Sequence, residues 1–289
     1  MRFKKVYIEL SDICALKCSF CPNPKNQRGI MSLELFQNAC KQVSPLTNKI
    51  TLHVLGDPCK LKDLKLYLDI AKNFNLKVDL VTSGVYLNDF SLLLHEIIWQ
   101  ISISLDAGLD SQNKLNKECY IKRILEFCHY KFEKNSEVFL NLRIQSATLK
   151  EHFSFIEPFL KAFNPMSFEY LQTHKRVRLF KKSFLNIQQT FEWPNLQTTP
   201  IASSQQQSNA PYCYGLIEQI AILANGIVVP CCMDTNASIN LGNIHITPLQ
   251  AILESKKALA IKTHFLKNQA IEPLCKHCTY AKIRQQQHS

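Results

Sequence analysis

Three cysteines near the start of this 289-residue chain could do chemistry: Cys14-Ala-Leu-Lys-Cys18-Ser-Phe-Cys21. At this spacing each thiolate can bind one iron of a [4Fe–4S] cube, which leaves the fourth iron without a protein ligand. A structural zinc site needs four closed ligands in paired knuckles, and no suitable fourth residue lies nearby. Three core or zinc cysteines are the alternative. A second group is spread more widely: Cys213, Cys231 and the close pair Cys275-Lys-His-Cys278. Four thiolates suffice to close a cubane or a tetrahedral zinc ribbon. Cys232, beside Cys231, competes with it as the ligand. His277 reads as a solvent-facing spacer. Cys40, Cys59, Cys119 and Cys128 have no partner spacing and read as small buried hydrophobes.

Twelve cysteines in a chain without a secretory apolar segment point to metal ligation rather than disulfides. The start, MRFKKVYIELSD, is too polar for a signal peptide, and no stretch reads as a membrane span. The expected location is the cytoplasm, with no membrane partner. A net charge of +11 favours anionic partners, nucleic acid among them, without choosing one.

The elements that must carry these residues alternate. Strand-like runs at Val6–Leu10, Ile50–Leu55, Lys77–Thr82, Gln100–Leu105, Val138–Ile144 and Met166–Tyr170 are separated by helical spacing near 32–43, 62–74, 88–96, 117–133 and 150–162. This order predicts βαβ units around a parallel sheet, an α/β partial (β/α)6 barrel with its site at the carboxyl ends of the strands. The barrel is expected over 1–170 and a basic and polar connection over 171–211. That connection includes HKRVRLFKK at 174–182 and a linker-like tract at 197–211. A small metal-stapled domain is expected over 212–289, with a frayed tail.

The Cys-x-x-x-Cys-x-aromatic-Cys pattern after a first strand resembles the signature of the radical S-adenosylmethionine (SAM) superfamily. The resemblance implies that SAM chelates the open iron and that Phe20 packs near its adenine. Gly56-Asp57-Pro58 is similar to the family turn that holds the SAM amino group, with Leu55 in place of its first glycine. Thr82-Ser83-Gly84 and Ser104-Leu105-Asp106 end the third and fourth strands. By resemblance Ser83, Ser104 and Asp106 join Gly56, Asp57 and Pro58 as cofactor contacts. Asn116 and Lys117 stand where many relatives carry an arginine, with Lys114 or Lys117 as candidate substitutes. Arg143 faces either the pocket or the surface.

The block Asn225–Asp234 with Leu241-Gly242-Asn243-Ile244 resembles the SPASM/twitch domains appended to such barrels. It implies one auxiliary [4Fe–4S] cluster on Cys213, Cys231, Cys275 and Cys278. The arrangement is similar to that of the aminocyclitol dehydrogenase of the butirosin pathway and of the sulfatase-maturase group. It implies an enzyme in which an electron donor such as flavodoxin or ferredoxin drives cleavage of SAM to a 5′-deoxyadenosyl radical. That radical then takes a substrate hydrogen. Oxidation of a small metabolite is the leading reaction; peptide side-chain modification, RNA modification and a non-enzymatic iron–sulfur or zinc protein are the alternatives. Asp234, Glu169 and His174 are polar enough to act as a base, and nothing sets them apart. His53 reads as a satisfied core histidine.

Overall fold

The computed structural model describes residues 2–22, 27–194, 213–281 and 283. The polar tract at 197–211 and the tail from 284 lie outside the described residues.

Strands and helices alternate through β1 (Lys5–Ile8), α1 (Leu33–Val43), β2 (Lys49–Leu52), α2 (Leu64–Asn73), β3 (Lys77–Thr82), α3 (Phe90–Leu93) and β4 (Ile98–Ser104). They continue with α4 (Asp106–Leu109), α5 (Lys117–Glu133) and β5 (Phe139–Gln145). Then come α6 (Ser146–Glu151), α7 (Phe153–Phe163), α8 (Phe168–Thr173), β6 (Arg176–Phe180) and β7 (Ser183–Gln188). Past the linker lie β8 (Gln219–Ile222), β9 (Ile227–Val229), β10 (Gly242–Asn243), α9 (Leu249–Leu253), α10 (Lys256–Leu266) and α11 (Pro273–Lys276). The strands form one sheet in the order β10-β9-β8-β1-β2-β3-β4-β5-β7-β6, with β8, β1 to β5 and β7 parallel.

The helices form where apolar residues recur every three to four positions and a polar cap precedes them. In α1 the buried face is Leu35, Phe36, Ala39, Cys40 and Val43, and the Ser32 side chain accepts the Leu35 N–H at the first turn. On the strands the alternate residues Val6, Ile8, Ile50, Leu52, Leu80, Ile101, Ile103, Leu140 and Leu142 pack beneath the helices in the main core. The residues between them, among them Tyr7, Thr51, His53, Asp79, Ser102, Asn141 and Arg143, therefore face the other side. That side is concave. Flat strands about 4.8 Å apart would separate β1 from β5 by roughly 19 Å, yet Tyr7 on β1 and His53, just past β2, both interact electrostatically with Arg143 on β5. The sheet is the curled wall of a partial barrel.

Two elements differ from expectation. Met166–Tyr170 forms no strand; Ser167 caps α8 by accepting the Tyr170 N–H at 3.2 Å. The sixth barrel strand is β7, paired in parallel with β5. The basic run at 174–182 is largely β6, an antiparallel edge strand that alternates exposed Arg176 and Arg178 with buried Val177 and Leu179.

Candidate active site

The loop after β1 is closed at its base before its cysteines are presented. Asp12 accepts the N–H groups of Arg28 at 2.7 Å and Gly29 at 3.0 Å. Met31 donates its N–H to Leu10 O at 2.8 Å. Glu9, fully buried at the end of β1, receives Arg28 through two hydrogen bonds, and also the N–H groups of Leu55 at 3.1 Å and Ala224 at 3.0 Å. One carboxylate thus joins the β1 loop, the β2 turn and the β8–β9 turn.

The tip of the loop is clamped from the side by the segment after β4. Ser19 donates its N–H and Oγ to Asp110, at 2.6 and 2.7 Å. Asn113 accepts the Lys17 N–H at 2.8 Å and donates to Cys18 Sγ at 3.1 Å. Sequence reasoning passed over both residues; their only local sign was the turn-forming Asp-Ser-Gln-Asn at 110–113. Cys14, Cys18 and Cys21 lie close enough to act on one another. Burial, then the charges of Cys18 and Cys14, pushes the Cys21 thiol up to about 12. Without a cation between them these thiols stay protonated, whereas iron would bind all three as thiolates. Phe20 is partly exposed beside them.

The β2 turn sits directly on this loop. Gly56 has φ +67, and a Cβ there would lie 2.2 Å from Ser11 O, so glycine is required both for the conformation and for the close approach. Asp57 is buried and accepts from Cys59 N (3.0 Å), Thr82 Oγ1 (3.0 Å), Ser83 N (2.9 Å) and Ser83 Oγ (2.5 Å). It joins the ends of β2 and β3. Pro58, also buried, opens the short turn that follows. Tyr120 of α5, unremarked in the sequence, donates its hydroxyl to Ser83 O at 2.6 Å and Ser104 O at 3.2 Å and joins β3 to β4.

Asp106 is placed differently from expectation. Its carboxylate turns onto the β5–α6 junction, accepting the Gln145 N–H at 3.2 Å and bonding Thr148. Burial nevertheless leaves its acidity weakened. Asn116 caps α5, and Lys117 opens that helix. Cys119 is exposed rather than buried; Cys40 and Cys128 are fully buried, and Cys59 packs against the core. His53 is not packed beneath the helices. It lies on the concave face near Tyr7, and burial with the charges of Arg143 and Lys5 lowers it to about 3. Glu169 and His174 are exposed at α8.

The second cysteine group meets in space. Cys213, Cys231, Cys275 and Cys278 line one cavity, whose other walls include Met233, Ile239 and Phe265. Burial raises the Cys231 thiol well above its ordinary value, and the charges of Cys213, Cys232, Cys275 and Cys278 push the same way. Cys232 is absent from that lining and packs instead against the small core of Tyr7, Val54 and Leu55. Asp234 is buried and accepts the N–H groups of Ser238 at 2.8 Å and Ile239 at 2.7 Å. His277 is exposed. Among the described residues, no three His, Cys, Asp or Glu side chains gather tightly enough to share a single ion.

Residues 8–143 match the Radical SAM superfamily, and residues 213–279 match the SPASM iron-sulfur cluster-binding domain. The chain is a radical SAM enzyme. Such a domain carries a [4Fe–4S] cluster with SAM, and a SPASM domain carries auxiliary iron–sulfur clusters. Solved radical SAM structures share the fold. BtrN in complex with AdoMet and 2-DOIA is 15% identical over 96% of this chain and 94% of that chain, with a TM-score of 0.58. Streptococcus suis SuiB bound to precursor peptide SuiA is 14% identical over 98% and 71%, with a TM-score of 0.63. Native anSMEcpe with bound AdoMet and Cp18Cys peptide is 17% identical over 97% and 87%, with a TM-score of 0.60. No curated protein sequence matches the chain. No described helix is long and apolar enough to cross a membrane.

Both thiol groups suit these cofactors. The β1 loop of this radical SAM domain offers three sulfurs, and the SPASM cavity offers four sulfurs within apolar walls, the donor sets of an open and a closed cubane.

Proposed function

We propose that this radical SAM enzyme performs a two-electron oxidation of a small metabolite on the concave face of its barrel. Cys14, Cys18 and Cys21 hold the SAM-binding cluster, and Cys213, Cys231, Cys275 and Cys278 hold one auxiliary cluster. When bound, these groups supply reductive cleavage of SAM to a 5′-deoxyadenosyl radical, which takes one hydrogen atom from the substrate, and an acceptor for the second electron. An external one-electron donor such as flavodoxin or ferredoxin provides the initiating electron.

The chain's own residues position and shield. Gly56 lets the β2 turn lie against the cluster loop, and Asp57 fixes the backbone of Ser83 beside it. Phe20, Ser83 and Ser104 line the approach for SAM, with Asp106 bracing the wall behind them. The observation that carries oxidation is the closeness of the auxiliary cavity to the concave face. Tyr280, two residues past Cys278, acts electrostatically on Arg143, and Pro194, on the segment leaving β7, lines the cavity. A substrate on that face lies beside the second cluster, within reach of an electron acceptor.

Anaerobic incubation with SAM and dithionite tests the reading. The wild type and the Cys275→Ala/Cys278→Ala variant should both release 5′-deoxyadenosine, and Cys18→Ala should release none. With a small-molecule extract added, only the wild type should yield a product lighter by two hydrogens. No 5′-deoxyadenosine from the wild type overturns the radical chemistry. Modification confined to a peptide fraction overturns the metabolite assignment.

A further inference from the structure

Arg143 stands on β5 among the residues that face the concave side, register-paired with Ser104 of β4 and Asn186 of β7. The residue is half-buried, while its Nε is enclosed and has no hydrogen-bond partner. No carboxylate among the described residues forms an ion pair with it. The acid that acts on it, Asp106, spends its carboxylate on Gln145 and Thr148. The other groups acting on it are two phenols, Tyr7 and Tyr280. A guanidinium drawn out of water without a counter-charge is unfavourable unless something supplies the missing negative charge.

We propose that Arg143 anchors a carboxylate group of the substrate on the concave face, between Tyr7 and Tyr280. The inference rests on reading that face as the substrate site. A planar guanidinium pairs with a carboxylate through two parallel hydrogen bonds, a geometry that a lysine does not offer. The other cation near this face, Lys5, is engaged over the Tyr7 ring with its Nζ 5.0 Å from the centroid, which leaves the Arg143 guanidinium as the group to receive one carboxylate. The carboxylate of SAM is a poorer partner. It must sit on the iron held by the β1 loop, and Arg143 is not among the charges acting on Cys14, Cys18 or Cys21. Asn141 and Asn186, joined to each other at 2.9 Å, and His53, held neutral, supply polar neighbours without competing charge.

The test is calorimetric titration of the anaerobically reconstituted holoenzyme, saturated with SAM. Four probes are compared: glycolate, its neutral counterpart glycolamide, inorganic phosphate, and the capped peptide acetyl-Gly-Glu-Gly-amide. Glycolate or the peptide should bind, glycolamide should not, and Arg143→Gln should weaken binding at least tenfold. Arg143→Lys should fall between them, and SAM affinity on the same preparations verifies folding. The tighter of glycolate and the peptide identifies whether the carboxylate belongs to a metabolite or to a peptide. Binding unaffected by Arg143→Gln, phosphate binding tighter than either carboxylate, or a tenfold loss of SAM affinity in Arg143→Gln overturns the proposal. If carboxylates fail to bind a wild type that still releases 5′-deoxyadenosine, this inference falls and the proposed function stands. Absence of 5′-deoxyadenosine marks the failure of that function instead.

Discussion

Arg28 meets Glu9 through two hydrogen bonds, Nε to Oε2 at 2.7 Å and Nη2 to Oε1 at 2.8 Å, while its Nη1 reaches Thr235 O at 2.9 Å. The pair therefore ties the first cysteine loop to the SPASM domain as well as to β1. With Glu9 fully buried and Arg28 nearly so, removing one partner strands the other's charge. Arg28→Met should destabilise the protein by about 3 kcal/mol or more. Urea unfolding checks this, and iron analysis of the same preparation should show the loop holding less iron.

The contact of the β2 turn with the cysteine loop leaves no room for a side chain. Gly56→Ala brings a Cβ to 2.2 Å from Ser11 O at a positive φ, a strain on the order of 1–3 kcal/mol from the backbone conformation alone. Asp57→Ala leaves Thr82 and Ser83 without their shared acceptor. Both variants should bind SAM at least tenfold more weakly than the wild type, measured by equilibrium dialysis.

Neighbouring Cys231 and Cys232 should behave differently. Only Cys231 lines the auxiliary cavity. On cubane stoichiometry, Cys232→Ser should retain about eight irons per chain and Cys231→Ser should fall toward four. Equal iron in the two variants would contradict the assignment.

His53 offers a pH test. Its folded value, about 3, lies below the ordinary 6.5 because burial and the charges of Arg143 and Lys5 oppose protonation. The unfolded chain takes up a proton near pH 6.5 that the folded chain refuses, so the stability is complete above 6.5 and is lost as pH falls. Between pH 7 and pH 5 the wild type should lose about 2 kcal/mol more than His53→Gln. Denaturant unfolding at the two pH values measures the difference.

The first five strands were legible because each buries an alternate apolar row beneath a helix, as Val78 and Leu80 do in β3. Local alternation failed at Met166–Tyr170, where the Ser167 cap won. It was hidden in β6, where Arg176 and Arg178 mask the buried Val177 and Leu179. Cysteine spacing pointed to both thiol groups, since ligand chemistry restricts both residue type and separation. The supports were not legible. Glu9 and Tyr120 act on residues 16 to 215 positions away with nothing local to mark them, and Asp110 and Asn113 reach back 91 to 96 positions from a segment marked only as a turn. Arg143 was visible as a residue, but not as an unpaired one, because that depends on its neighbours across a curled sheet.

The proposed chemistry depends on an open iron site on the first loop that SAM completes. Electron paramagnetic resonance of dithionite-reduced Cys275→Ala/Cys278→Ala protein, which keeps only the loop cluster, tests it most directly. A reduced cubane signal should appear, with g-values that shift when SAM is added, and should be absent after Cys18→Ala. A signal unchanged by SAM, or stoichiometric zinc with no cubane signal, would contradict it.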